Sequence, residues 1–243
     1  MNIGLYLGAA AMRALERWQE SISNNIAASS TPGFRKQEAE FSMTPAGGVT
    51  TGANTVGAVQ FPTARMSVNF QHGQVTGTGR DLDVAIQGDG FFEVQMPDGG
   101  HAFTRAGSFY TNSERTLVDA SGRPLLGDGG ATVQLLAEGG SLAIARDGTV
   151  TQGKQPIGKL AVFKFDNPQA LQPLSGGLFA AGAGQAPQQV EQPTLIQGAL
   201  ETSNVQPVEE MVNLVQVSRA YEAAQKVISS RDDTLDKTIR AFS

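Results

Sequence analysis

Only two histidines, His72 and His101, are available for acid–base work in this chain of 243 residues, and it has no cysteine. A Ser-His-Asp site would place one of them beside an activated serine, but no Gly-x-Ser-x-Gly elbow accompanies either. Both read as strand or loop histidines. Asp81, Asp83, Asp89 and Asp98 could supply the paired carboxylates of a glycosidase, which stand roughly 5 to 10 Å apart across a cleft. Asp89 and Asp98, however, sit beside glycines as turn residues do. Asp81 and Asp83 would share one face of a strand, an arrangement open to calcium, yet the ligand spacing of an EF-hand is missing. Gly77 to Gly79 and Gly88 to Gly90 lack the third glycine and the following helix of a dinucleotide loop. Phe103, Arg105, Phe109 and Tyr110 could stack on bases, though a hairpin core accounts for them better in an acidic chain. No catalytic, cofactor-binding or metal-binding residue is assigned, and the chain is read as not an enzyme.

The strongest patterning lies at the two ends. Leu5, Gly8, Met12, Leu15, Gln19, Ile22 and Ile26 follow the alternating three-and-four spacing of a helical seam. Leu214, Tyr221, Ile228, Leu235 and Phe242 recur every seventh position, beside a second row of Met211, Ser218, Gln225, Asp232 and Ile239 that is polar at Ser218, Gln225 and Asp232. That second row serves a two-stranded zipper poorly and suits one face of a larger helical packing. The first helix is expected from about residue 2 to 28, stopped by Ser29-Ser30-Thr31-Pro32-Gly33. The last is expected after a cap at Ser203 or Asn204, with Pro207 in its first turn and Glu209 and Glu210 favourable to its dipole.

Between the ends the period changes. Residues 82–87, 91–96, 101–105, 132–136, 142–145, 149–152, 160–165 and 194–200 are expected strands, separated by turn signals such as Gly88-Asp89-Gly90 and Asp147-Gly148. A further strand pair is expected at 56–61 and 66–70. The fold class is therefore α+β: N- and C-terminal helices packing as a coiled-coil-like pair, joined by extended arms to a central all-β domain, a small barrel or sandwich. The boundaries are 1–34 for the N-terminal helix, 35–79 for an extended arm, 80–184 for the β domain, 185–204 for a return arm and 205–243 for the C-terminal helix.

Composition narrows the function. A 40% hydrophobic content supports a real core, while 17% charged residues and a net charge of −5 provide no basic field for nucleic acid. No run approaches the roughly 18 apolar residues of a membrane span. No Lys or Arg precedes Arg13, so the charged start of a secretory signal is missing.

Ser23-Asn24-Asn25-Ile26-Ala27 followed by Ser30-Thr31-Pro32-Gly33-Phe34-Arg35 resembles the N-terminal signature of the bacterial flagellar rod and hook proteins. Leu200-Glu201-Thr202-Ser203-Asn204-Val205, Val208-Glu209-Glu210-Met211 and Arg219-Ala220-Tyr221-Glu222 are similar to the family's C-terminal signature. Between them, 81–92 and 103–109 resemble the β domain of rod proteins. The Ser-Thr-Pro-Gly-Phe turn, 156–160 and 177–179 look most like the proximal-rod branch, and the distal-rod branch shares both end signatures.

The resemblance implies a structural subunit of the basal-body rod, polymerising into the axial shaft that transmits torque across the periplasm to the hook. It implies copies of itself and other proximal and distal rod subunits as partners. It also implies export through the flagellar type III apparatus without a cleaved signal. Family signatures and ladders together put Leu5, Met12, Leu15, Ile22, Ser23, Asn24, Asn25, Ile26, Thr31, Pro32, Gly33, Phe34, Glu201, Ser203, Asn204, Val205, Met211, Leu214, Tyr221, Ile228, Leu235 and Phe242 at the assembly interface. Because two end helices alone bury little against the entropy of ordering them, both ends are expected to fold on assembly. A secreted adhesin or fibre subunit is the alternative of a different class.

Overall fold

The computed structural model describes residues 3–241 apart from 47–49, 52–53, 56–58, 138 and 183. The side chains of Leu5, Asp232, Leu235 and Ile239, and the whole of Phe242, lie outside the described residues. Two compact units emerge: one takes in 1–27, 37–69 and 206–243, the other 28–36 and 70–205.

The first unit contains both helices and a hairpin. Helix α1, Ile3–Ala27, is rich in alanine, the best helix former, and stops where Pro32 and the left-handed Gly33 (φ 67°) close a turn. Helix α2, Pro207–Ala241, starts on a proline whose missing N–H costs nothing at that position, with Glu209 and Glu210 in its first turn. Its cap differs from expectation. Gln206 precedes the first helical residue and its carbonyl accepts from Glu210 N, whereas the Asn204 amide bonds to Lys36 N and the Gln71 carbonyl. Ser203 closes a smaller turn by accepting from Val205 N.

The helices run antiparallel where they meet. Asn25 Nδ2 donates to Glu210 Oε2 at 3.1 Å, Tyr221 OH donates to Glu16 at 3.3 Å, and a Cβ on Gly8 would stand 2.9 Å from Ile228 Cγ1. Glu210 and Val217 are buried, and Leu214, Tyr221, Ala224 and Ile228 are half-buried. These six alternate by four and three residues, so the row beside the seven-residue ladder is Glu210, Val217 and Ala224. Met211 and Gln225, from the row the sequence suggests, face outward. The glutamate at 210 disguised the inner row, since a carboxylate rarely starts an apolar seam.

Gln37–Ala46 pairs antiparallel with Val59–Val68 in one ten-residue ladder from Gln37↔Val68 to Ala46↔Val59. The expected pair at 56–61 and 66–70 is not formed in the described residues, because 59–68 is a single strand. Alternation explains its packing: Ala39, Phe41, Met43, Ala64 and Met66 share one face, and Glu38, Glu40, Ser42 and Arg65 share the other. Ala64 is buried, and Phe41 meets Trp18 of α1 edge to face at 5.4 Å.

The second unit is almost entirely strands in several small sheets. Its largest sheet runs in the order 172–173, 178–180, 101–104, 91–95, 162–164, 188–189, with 125–126 also bonded to 91–95. Among the described residues that path is open at both ends and does not close on itself. A three-stranded sheet joins 142–144, 149–152 and 155–159. Residues 132–136, expected as a strand, make only isolated bridges through Thr132 and Gln134. The expected strand at 194–200 is two strands, Leu195–Gln197 and Ala199–Glu201, broken at the left-handed Gly198.

Adjacent Phe91 and Phe92 point to opposite faces of their strand. Phe92 packs on Phe109 at 5.2 Å among Val84, Leu117, Leu125 and Leu160, all buried. Phe91 joins Phe70, Phe165 and Phe179 in a second aromatic layer. Both faces are covered, which is why this run shows no polar alternation.

Candidate functional site

Gly33 and Arg35 of the first end signature meet Glu201 of the second around one carboxylate in the strand-rich unit. Val75–Gly77 pairs with Ala199–Glu201, and the turn after α1 brings Gly33 alongside, its N–H donating to the Glu201 carbonyl at 2.8 Å. On the side chain, Oε1 of Glu201 receives Arg35 Nη2 at 2.7 Å and Gly73 N at 2.9 Å, and Oε2 receives Arg105 Nε at 2.5 Å. All three charged side chains are 2% exposed.

Arg105 is held by more than Glu201. Its Nη1 donates to the Gly90 carbonyl and its Nη2 to those of Ile86 and Gly88. Gly88 (φ 96°) and Gly90 (φ 138°) give this turn the positive-φ backbone that aims carbonyls inward. The Gly88-Asp89-Gly90 turn therefore presents acceptors to a cation, the reverse of the N–H cradle a phosphate needs. Burial lowers the Arg105 pKa and Glu201 offsets part of that, but an arginine remains charged throughout.

Burial pushes Glu201 upward, but the guanidinium charges of Arg105 and then Arg35 outweigh it and hold the carboxylate below its ordinary range. A depressed folded pKa stabilises the native state above the unfolded pKa and is lost as pH falls through the folded value. Unfolding of this unit, followed by circular dichroism, should thus be insensitive to Glu201 from neutrality to about pH 5 and become progressively easier below about pH 4.

Gly33 is the tightest point of the turn. A Cβ there would collide with the backbone of Arg105 in addition to its positive φ. Gly33→Ala should cost about 2 kcal/mol or more, read as a lower urea midpoint with an unchanged slope.

The other candidate residues divide between the units. Asn25 is fully buried and works like a strand edge: its Nδ2 donates to the Gln37 carbonyl at 2.8 Å and its Oδ1 accepts Gln37 N at 2.9 Å. Ser21 donates to the same carbonyl at 3.0 Å. Ile22 is buried, Met12, Leu15 and Ile26 are half-buried, and Ser23 and Asn24 are exposed. Thr31, Pro32, Phe34, Ser203 and Asn204 are half-buried and Val205 is buried in the strand-rich unit. Along the outward side of α2, Val208, Met211, Val212 and Val215 are each more than half exposed.

Among the described residues, the two histidines do not share a site and Asp81 does not pair with Asp83. Asp83 is buried and accepts from Thr78 Oγ1 at 2.6 Å, while Asp81 is exposed; the strand begins at Val84, so the two do not share a strand face. His72 bonds Asp89 at 3.1 Å and His101 bonds Glu93 at 2.9 Å. Among the described residues, no group of three His, Asp or Glu is placed to hold a metal, and no helix is long and apolar enough to cross a membrane. Arg35 and Arg105 fall within sequence motifs, but only the fold makes Glu201 their shared partner.

Two family descriptions match the chain: the C-terminal region of flagellar basal body rod FlgEFG proteins over residues 196–241, and the D1 domain of flagellar hook protein FlgE/F/G over 85–152. The chain is 35% identical over 232 residues to the flagellar basal-body rod protein FlgF of Caulobacter vibrioides, covering 95% of this chain and 94% of that one. It is 31% identical over 249 residues to FlgF of Mesorhizobium japonicum, covering 100% and 98%. It is also 31% identical over 257 residues to the flagellar basal-body rod protein FlgG of Bacillus subtilis, covering 97% of each.

Proposed function

The chain belongs to the family of flagellar basal-body rod proteins, and we propose from that premise that it is a structural subunit of the rod, of the proximal type. The carrying observation is the match to relatives of that name over nearly the full length of both chains. The adhesin alternative has no support from these relatives. The distal-rod reading is second, favoured by the match to the FlgG of Bacillus subtilis.

In this reading the chain works in the basal body alongside other rod or hook subunits. It reaches that place through the flagellar type III apparatus, and its function is mechanical. Helices α1 and α2 pack as a coiled-coil-like pair whose outward side meets neighbouring subunits. The apolar outward side of α2 at Val208, Met211, Val212 and Val215 supports this arrangement, since a row of that kind gains by being covered. Contacts between different patches of successive subunits do not close on themselves, and so generate a helical shaft able to carry torque. Both helical ends complete their folding when neighbours cover them.

Basal bodies isolated from a strain lacking the chain should show incomplete rods without hooks, and the cells should not swim. Full-length rods in that strain would overturn the assignment. Hydrogen exchange on the purified monomer should show weaker protection in 5–26 than in 91–104; equal strong protection would contradict folding on assembly.

A further inference from the structure

The strand-rich unit contains a cavity of about 270 Å³ beside the Glu201 cluster, with Arg35 and Arg105 in its lining, Phe70, Phe91 and Phe165 as apolar walls and Lys164 at its edge. Its charge is unbalanced. Two buried guanidinium groups share the single buried carboxylate of Glu201, and Nε and Nη1 of Arg35 have no hydrogen-bond partner among the described residues. Arginine cannot shed its proton, so the excess positive charge persists in a region of low dielectric. Asp89 and Asp166 also line the cavity, but both are exposed: Asp89 is engaged by His72 and Asp166 by Gln188. Exposed charges are screened by solvent and weigh less than buried ones.

We propose that this cavity binds a carboxylate carried on a short apolar stem. The stem lies against the phenylalanine walls, and the carboxylate faces Arg35 and Arg105 with Lys164 closing over it. Such a group can come from an acidic side chain of an adjoining subunit or from a free carboxylic acid. The site itself does not depend on the rod assignment, because it is built wholly within one unit.

The test uses the full-length chain in solution. Titration with N-acetylglutamate, followed by the arginine side-chain and backbone N–H resonances, should move Arg35 and Phe165 saturably, while neutral N-acetylglutamine moves neither. Lys164→Gln should weaken binding about fivefold, and Asp166→Asn should leave it equal or tighter. Absence of saturable shifts, an equal response to N-acetylglutamine, or inorganic phosphate binding as tightly as N-acetylglutamate would each overturn the carboxylate site. A photo-crosslinking amino acid at 164 in assembled basal bodies then separates the sources: a crosslink to an acidic peptide of another subunit identifies a side chain, and saturable binding without one identifies a free acid.

Discussion

Glu201→Ala should unfold the strand-rich unit at much lower urea than the parent chain, a loss of about 3–5 kcal/mol. The estimate follows from what the substitution leaves behind. Arg35 and Arg105 are each 2% exposed and lean on the same carboxylate. Removing it leaves two buried like charges without their shared counter-ion, and the Gly73 N–H loses its acceptor as well. Glu201→Gln should recover only a minor part, since an amide keeps the shape but carries no charge to balance the arginines. The chain's single tryptophan, Trp18, belongs to the helix-containing unit. Its fluorescence therefore follows that unit while circular dichroism in the β region follows the strands. Loss of stability confined to the strand signal is the expected result; an unchanged strand midpoint would show that the cluster contributes no net stability.

Val217→Asp should abolish swimming and unfold the α1–α2 contact outright, since a cost of about 4 kcal/mol exceeds what a unit whose folding is completed by neighbours can absorb. Val217 is 0% exposed in the row that α2 turns inward, so an aspartate there places a carboxylate among apolar neighbours. Val215, two residues earlier, is 51% exposed on the opposite side of the same helix. Val215→Asp should leave monomer helicity and Trp18 fluorescence unchanged and yet reduce swimming sharply, because its charge would appear only where a neighbouring subunit covers the row. The pair separates a folding role from an assembly role within one turn of helix. Equal effects of the two changes on monomer stability would contradict the assigned faces of α2.

Several elements were legible because local chemistry and packing agree. The stop after α1 at Pro32-Gly33 reads directly from a fixed φ and a left-handed glycine, and 149–152 alternates cleanly because one side of that strand is buried. The hairpin was also written in period two, but Thr, Gly and Ala around 44–58 resemble a linker, and antiparallel pairing over such a separation leaves no local trace. The inner row of α2 was displaced by one position because Glu210 is charged, and its Asn25 partner is 185 residues away in sequence. The Glu201 cluster was illegible for the same reason: Arg35, Arg105 and Glu201 lie on three separate segments, and no spacing rule links them. The histidines and aspartates drew attention by type, yet the fold spends them on turns and strand edges.

The central claim is that the outward side of α2 is covered by a neighbouring subunit in the rod. Electron cryomicroscopy of intact basal bodies at side-chain resolution tests it directly. The expected density places Val208, Met211, Val212 and Val215 against a second axial subunit, with Glu210 and Val217 still facing α1 of their own chain. A rod in which this row faces solvent, or in which the chain is absent from the shaft, would contradict the account.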